Sequence, residues 1–353
     1  MRIAFLSFYN GRIDRGVEVA TAVIASKLSQ EHEITLFQAG DRLTSSVNTQ
    51  ILTVDGKWPQ DSSGSWWRKF YLDHYSLKIL LFTLKFLPYF FKQKYDVVIP
   101  TNGGWQVLTV RLLTHIFGKK MIVQGNAGIG RDDHWQLRLN PDIFIAISPN
   151  GYNWAKEKAP QVKIVYIPYG VDIKLFDKTK PAYIPLKKPI VLCVSALLEY
   201  KRVNLLIKAM TKVSNVSLLV IGHGPLEVKI NEMGKQLLGS RFLLKTNVNH
   251  KELTGYYKAA DLFSLPSKSN EAFGIVYVEA MAAGLPIVAT DDFNRREIVK
   301  SAGILVNPEN ENEYAQAIKN GLAHDYFEKS LNQAKKFDWE TIVASYKDLL
   351  NNL

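Results

Sequence analysis

The sequence predicts an α/β protein of two doubly wound, parallel-sheet domains, and three observations carry that expectation. Short β-branched, apolar runs recur in two sets of six, separated by helix-length amphipathic stretches, as βα units require. Between the sets lies 172–189, rich in Lys and Pro and without helical period, which reads as a linker. The length of 353 residues is enough for two domains, each able to bury its own core, at roughly 100 to 200 residues per domain. The domains are thus expected at 1–171 and 190–331, joined by a linker at 172–189.

The first strand is read at 3–8, where Ile-Ala-Phe-Leu-Ser-Phe is shorter than the roughly 7 to 15 apolar residues of a signal-peptide core. The remaining strands of the first set are read at 34–37, 97–99, 121–123, 143–147 and 164–167. The second set falls at 190–194, 217–221, 242–244, 262–265, 287–289 and 304–306. The segment 332–353 carries Trp339, Ile342, Val343, Tyr346, Leu349 and Leu350 at helical spacing with no strand after it, so it is expected as helix packing back across the first domain. Parallel sheets of this kind bind ligands beyond the carboxyl ends of their strands, so two of them are expected to face a central cleft.

Composition narrows the class. With 47% hydrophobic residues, 17 Phe, 16 Tyr and 7 Trp, the chain carries far more apolar surface than a disordered one. Cys193, the single cysteine, precludes an internal disulfide, and seven scattered histidines show no zinc-binding spacing, so a reducing, cytoplasmic setting without a structural metal is expected. The net charge of +11 favours an anionic partner, whether nucleic acid, phosphorylated metabolite or acidic lipid. No uncharged run approaches a membrane span of about 18 to 20 residues, and the best stretch, 76–91, is interrupted by Lys78, Lys85 and Pro88.

The most informative segment is 267–286, Ser-Lys-Ser-Asn-Glu-Ala-Phe-Gly-Ile-Val-Tyr-Val-Glu-Ala-Met-Ala-Ala-Gly-Leu-Pro. A strand ends at Pro266, and a helix opening near Phe273 is stopped by Gly284 and Pro286. Glu271 then precedes the helix, while Glu279 lies about two turns further in, rotated by about 80°, so the two carboxylates reach different parts of one ligand. Between them the backbone N–H groups of Phe273, Gly274 and Ile275, at the positive helix end, suit a diphosphate. Read alone, the same pair also fits an N-terminal helix charge and a solvated face residue.

This segment resembles the donor-site signature of the retaining glycosyltransferase family 4, two glutamates separated by seven residues and followed by Ala-Met-Ala-Ala-Gly-Leu-Pro. Further landmarks of that family follow in order: Arg15-Gly16-Val17-Glu18, Ile167-Pro168-Tyr169-Gly170-Val171-Asp172, Lys201-Arg202, Gly222-His223-Gly224-Pro225 and Phe337-Asp338-Trp339-Glu340. The resemblance covers essentially the whole chain and is weakest between about 45 and 93. It implies a GT-B architecture of two Rossmann-like domains, the first on the acceptor side and the second binding a nucleotide sugar such as a UDP- or GDP-sugar. It also implies that Glu279 binds the ribose hydroxyls and Glu271 orients the sugar ring. The Phe273, Gly274 and Ile275 amides, Lys201 and Gly16 would hold the diphosphate, with Arg202 and Gly222 in neighbouring family motifs. The implied reaction is sugar transfer to a glycan or lipid-linked acceptor with retention of configuration. No Asp-x-Asp sequence occurs, so leaving-group charge falls to basic residues and no metal or other cofactor is expected.

The chain departs from the family in two places. Ser195-Ala196 stands where the family has Gly-Arg ahead of its Lys, so a phosphate-binding arginine is missing, and the resemblance leaves open whether Arg202 compensates. After the strand at Met121, where the family often places a catalytic His, this chain runs Gln-Gly-Asn-Ala-Gly-Ile-Gly-Arg-Asp-Asp-His over 124–134. Asp132, Asp133 or His134 is then available to meet the acceptor hydroxyl or steady the sugar cation; the other reading is a solvated loop with Asp133 as a helix cap.

A last segment, 66–94, concentrates ten aromatics and a charge of +5, with Lys78, Lys85 and Lys92 every seven residues. One reading is an interfacial helix on anionic lipid, with Trp66, Trp67, Phe82, Phe86 and Phe90 dipping into the membrane surface of a peripheral protein. The other is a core helix with a solvated basic edge. Two other classes stay in view. A nicotinamide oxidoreductase would use the same fold but needs a Gly-x-Gly-x-x-Gly turn, which Gly125, Gly128 and Gly130 do not form, and a nucleic-acid-binding module would use the charge but needs a reading motif.

Overall fold

The structure of the chain, a computed structural model, describes residues 1–13, 16–43, 47–54, 70–269 and 271–353, without the side chains of His250 and Lys251. It divides into two compact units, Met1–Pro168 with Val343–Leu353, and Tyr169–Ile342.

The first unit is a seven-stranded parallel sheet. In chain order its elements are β1 (Arg2–Ser7), α1 (Gly16–Leu28), β2 (Glu33–Gln38), β3 (Asn48–Ile51), α2 (His74–Gln93), β4 (Val97–Pro100), α3 (Trp105–Ile116), β5 (Lys120–Gly125), α4 (Arg131–Arg138), β6 (Ile143–Ala146), α5 (Pro149–Lys158) and β7 (Lys163–Tyr166). The strands lie in the order β3-β2-β1-β4-β5-β6-β7, which reverses between β1 and β4. All six strands read from apolar runs form. The seventh, β3, consists of Asn-Thr-Gln-Ile on the sheet edge, where a strand has little to bury and so carries no apolar run.

Helix α2 shows how one helix serves two environments. Asp73 caps it, accepting from the Ser76 amide at 3.2 Å, and Lys94 ends it in the left-handed conformation. Phe82, Phe86 and Phe90 are buried in the core, with Phe86 against Phe37 (ring centroids 4.9 Å apart) and Phe82 against Phe8 (5.6 Å). This corrects the interfacial reading of those three rings, since residues at i, i+4 and i+8 share the face that meets the sheet. Lys78 is buried as well, so the seven-residue lysine spacing does not form one solvated stripe. Trp66 and Trp67 lie outside the described residues. The exposed apolar residues of α2 are instead Leu77, Leu81, Leu84 and Phe91.

The second unit holds α6 (Ile173–Lys178), β8 (Ile190–Val194), α7 (Val203–Thr211), β9 (Ser217–Ile221), α8 (Glu227–Leu238), β10 (Phe242–Lys245), α9 (His250–Ala259), β11 (Leu262–Leu265), α10 (Ile275–Ala282), β12 (Ile287–Thr290), α11 (Phe293–Val299), β13 (Gly303–Val306), α12 (Glu311–Ala323) and α13 (Phe327–Ala334). Its six parallel strands run β10-β9-β8-β11-β12-β13, reversing between β8 and β11. Helix α6 forms inside the stretch read as linker: Asp172 caps it through the Leu175 amide at 3.0 Å, a side-chain signal too short to register as helical period. Side-chain caps also start α9 (Asn249), α11 (Asp292) and α12 (Asn310). The segment 332–353 is not one helix. It comprises the end of α13, a 3-10 turn at Lys335–Phe337 and α14 (Trp339–Asn351), whose residues from Val343 onward belong with the first unit, where Lys347 pairs with Glu31 at 2.6 Å. Among the described residues no helix is long and apolar enough to cross a membrane.

The two faces of α2 make different contributions to stability. Phe86→Ala should cost about 3 to 5 kcal/mol through lost burial and the cavity left behind. Leu81→Ala should stay within about 0.5 kcal/mol. Urea unfolding followed by far-UV circular dichroism measures both, and equal losses would contradict the placement of the helix.

Candidate functional site

In the second unit the loops after β8 and β11 meet where the strand order reverses, the position at which open parallel sheets bind ligands. The β8 loop turns through a 3-10 segment, Glu199–Lys201, into Arg202, which is left-handed at φ 52°. A main-chain bond from the Lys268 amide to the Tyr200 carbonyl (2.8 Å) ties the two loops, and the Glu271 amide returns to the Lys268 carbonyl at 3.2 Å. That register brings the Lys201 ammonium into an ion pair with the Glu271 carboxylate, both side chains being about nine-tenths buried at 10% and 11% exposure. The Lys201 nitrogen also sits 5.1 Å from the centre of the Tyr200 ring.

Arg202 has different partners. Its guanidinium bonds the Pro266 carbonyl (2.8 Å), the Thr290 hydroxyl (3.2 Å) and Glu309 (3.0 Å), all away from the Lys201–Glu271 pair. A second arginine, Arg295, is fully buried and donates to the Ser267 and Lys268 carbonyls, each at 2.8 Å, while pairing with Asp292 at 2.5 Å. Together they pin the loop that presents Glu271. Sequence reasoning missed Arg295, whose only local signal is the capping Asp292 three residues before it.

The helix beyond Glu271 begins at Ile275, two residues later than expected, because Gly274 takes φ 82° as its cap. A Cβ there would come within 2.6 Å of the Tyr277 ring, so only glycine fits. The amides of Phe273, Gly274 and Ile275 donate to no acceptor among the described residues. The Phe273 ring is buried between Tyr169 and Phe337, at centroid distances of 6.0 and 5.8 Å.

Glu279 is 5% exposed, and one of its oxygens accepts from the Tyr257 hydroxyl at 2.8 Å. Burial, then the adjacent carboxylate, pushes Tyr257 well above its ordinary value, so the phenol remains a donor. Tyr257 lies on α9 and carried no sequence signal. Gly222, after β9, approaches the Ser195 carbonyl so closely that a Cβ would stand 1.8 Å from it, which joins the β8 and β9 loops. The Cys193 thiol beneath them is fully buried and pushed up to about 12 by desolvation, an inert packing group.

In the first unit Asp133 is 3% exposed, and its two oxygens accept from the Ala127 amide (3.1 Å) and the Ile129 amide (2.8 Å). Gly130, without a side-chain bond, is the N-cap of α4, and Asp133 instead braces the loop ahead of it. It holds Ile129 at φ 64°, a strained conformation for a β-branched residue. Burial raises the Asp133 carboxyl to about 6 against the opposing effect of those amide bonds. Asp132 accepts from the Tyr71 hydroxyl at 2.7 Å, and the exposed His134 ring packs edge-on against Trp154 with centroids 4.7 Å apart. The three neighbours therefore point to three different surroundings. Gly16 opens α1, and Arg15 and Asn270 of the family motifs lie outside the described residues.

Residues 176–337 match the family described as "Glycosyl transferases group 1". Two curated relatives come from Mycobacterium tuberculosis. A GDP-mannose-dependent alpha-(1-6)-phosphatidylinositol monomannoside mannosyltransferase is 25% identical over 223 residues, 56% of this chain and 58% of the relative. A phosphatidyl-myo-inositol mannosyltransferase is 29% identical over 218 residues, 57% of each chain. The chain thus spans little more than half the length of these relatives. Among solved structures, sucrose-phosphate synthase from Thermosynechococcus elongatus superposes with a TM-score of 0.82, covering 99% of this chain and 98% of its own at 21% identity, a likeness of fold. Residues 176–337 are thus similar to the glycosyl transferases group 1 family, and the two parallel-sheet units are those of a GT-B fold.

Proposed function

We propose that the protein transfers a sugar from a nucleotide-sugar donor to a glycan or lipid-linked acceptor, with retention of configuration and without a metal ion. The observation that carries this reading is the cluster at the β8/β11 reversal: a buried Lys201–Glu271 pair beside three amides with no described acceptor, and Glu279 beyond them. A diphosphate placed there would draw Lys201 to itself and release Glu271 to accept from hydroxyls of the sugar ring. Glu279, which accepts from Tyr257, would meet the ribose hydroxyls. The names of the two mycobacterial relatives, both mannosyltransferases acting on phosphatidylinositol lipids, support the same class.

In the transfer the bond from the anomeric carbon to the leaving phosphate oxygen breaks and a bond from that carbon to the acceptor oxygen forms on the same face. The departing phosphate takes the acceptor proton. Negative charge grows on the leaving group, so Lys201 and the aligned amides stabilise the transition state more than the ground state. Among the described residues no group of three or more His, Cys, Asp or Glu side chains could hold a metal ion.

A thermal-shift panel of UDP, GDP and ADP sugars, followed by a transfer assay with the ligand that binds, tests the reading. Failure of every nucleotide to raise the Tm would sink it. Glu279→Ala should raise the donor KM by about 10- to 150-fold, the equivalent of roughly 1.5 to 3 kcal/mol in charge-assisted hydrogen bonds. Glu271→Ala should depress kcat more than it raises KM. Lys201→Ala should weaken donor binding more than Arg202→Ala; both should lower the Tm, the first because it leaves the buried Glu271 carboxylate unpaired and the second because Arg202 holds the loop. Activity should survive EDTA; loss restored by Mg²⁺ or Mn²⁺ would refute metal independence.

Asp133 is assigned to bracing the loop before α4. Folded, it keeps its proton up to about pH 6; unfolded, it ionises near 3.8. Between those values the folded state binds more protons, so this group's contribution is full below about pH 4 and is lost as pH rises toward 6. The Tm of wild type minus that of Asp133→Asn should fall across this window and level off above it. A pH-independent difference would mean that the carboxyl is not desolvated.

A further inference from the structure

Two segments far apart in sequence, 169–171 and 337–339, lie side by side in the second unit. The Val171 amide donates to the Phe337 carbonyl (2.8 Å), the Trp339 amide donates to the Val171 carbonyl (3.1 Å), and Val171 and Asp338 form an isolated parallel bridge. Gly170 sits so close to the Trp339 indole that a Cβ would stand 2.5 Å from it, so the two segments close together only with glycine there. The result is a clasp that carries Tyr169 on one segment and Phe337 on the other.

Both rings grip Phe273. Tyr169 meets it nearly edge-on, with planes at 80° and centroids 6.0 Å apart, and Phe337 meets it at 59° and 5.8 Å. All three side chains are buried. The loop that contains Phe273 is anchored upstream, where Arg295 and Arg202 hold the Ser267 and Lys268 carbonyls. Downstream it is anchored by Tyr277, whose hydroxyl donates to the Leu265 carbonyl at 2.9 Å. Between those anchors stands Gly274, whose backbone lacks the restraint of a Cβ. The direction of its amide, and of its neighbours' amides, therefore depends on what holds residue 273. A ring fixed in a buried slot fixes its own Cα–Cβ bond, and with it the two peptide planes that meet at that Cα. Donors aimed in advance bind an anion more tightly than donors that must be ordered on binding, because no loop entropy remains to be lost.

We infer that Tyr169 and Phe337 are positioning residues for the donor phosphates: through the Phe273 ring they aim the amides of Phe273, Gly274 and Ile275 at the diphosphate. The inference rests on the nucleotide-sugar reading and adds to it two residues that act through Phe273 rather than on the ligand.

Equilibrium titration of the full chain tests it, with UDP, GDP and ADP followed by calorimetry and their nucleosides by ligand-observed NMR. The ratio of diphosphate to nucleoside affinity measures what the phosphates contribute. Phe337→Ala should lower that ratio about tenfold or more while changing the nucleoside affinity by less than about twofold. Phe337→Leu should recover part of the loss, and Tyr169→Leu, which removes one ring contact and keeps the bulk, should lower the ratio less. Phe242→Ala is the comparison for folding alone, since it deletes a buried ring of the same unit at the amino end of β10. It should lower the Tm, as Phe337→Ala does, and leave the ratio unchanged. An unchanged ratio in Phe337→Ala, or an equal fall in Phe242→Ala, would overturn the inference. If Phe337→Ala does not fold, Phe337→Leu and Tyr169→Leu carry the same comparison, and unchanged ratios in both overturn it. Failure of all three diphosphates to bind the wild-type chain would sink the nucleotide-sugar reading and this inference together. Wild-type binding with unchanged ratios in the variants would remove the inference alone.

Discussion

The carbonyl oxygen of Ser267 accepts from three side chains on three different segments: Thr290 at the end of β12 (2.8 Å), Arg295 on α11 (2.8 Å) and Arg202 ahead of α7 (3.4 Å). Polar groups taken out of water are stabilising only when paired, and a guanidinium as deeply buried as that of Arg295 needs its acceptors in fixed places. The loop after β11 therefore has one well-defined path. Because Glu271 and the start of α10 follow directly from that loop, their position depends on this convergence, although none of its donors belongs to the proposed donor-binding cluster.

The same arrangement sorts the basic residues by task. Arg202 and Arg295 spend their hydrogen bonds on main-chain carbonyls and on Thr290, Glu309 and Asp292, which makes them part of the frame. Lys201, one residue before Arg202, is held by a single carboxylate, a pairing that a ligand phosphate can replace. Adjacent residues diverge in this way because Arg202 adopts the left-handed conformation, which turns the two side chains in different directions. A net charge of +11 therefore overstates the charge available to a ligand, and position within the fold determines which cations remain to bind one.

Helices α2 and α3 pack together on the first sheet and share a division of labour. The large rings of α2 fill the core, where Phe82 and Phe86 are fully buried, while Leu77, Leu81 and Leu84 remain on its solvent side. On α3, Val107 and Val110 are buried as Leu112 and Ile116 face outward. The buried rings of α2 thus fill core volume, while the exposed apolar surface of the two helices is mostly aliphatic, with Phe91 and Phe117 beside it.

Period and punctuation determined much of the molecule. Apolar runs of strand length, separated by amphipathic stretches, produce parallel βα units because each strand is buried on both faces and each helix on one. The two-sheet organisation, twelve of the thirteen strands and the segment carrying Glu271 and Glu279 were legible for that reason. The edge strand β3 and the capped helix α6 were not, since neither buries enough to leave an apolar pattern. Tertiary structure decided the partnerships: Lys201 with Glu271 across 70 residues, Tyr257 with Glu279 across 22, and Arg295 with the carbonyls of Ser267 and Lys268. It also decided that Asp133 turns inward to brace its loop while Asp132 pairs with Tyr71. Such pairings arise where loops from distant strands converge at the carboxyl end of a sheet. Distance along the chain carries no information about them, because the strand order, rather than the sequence order, sets which loops meet.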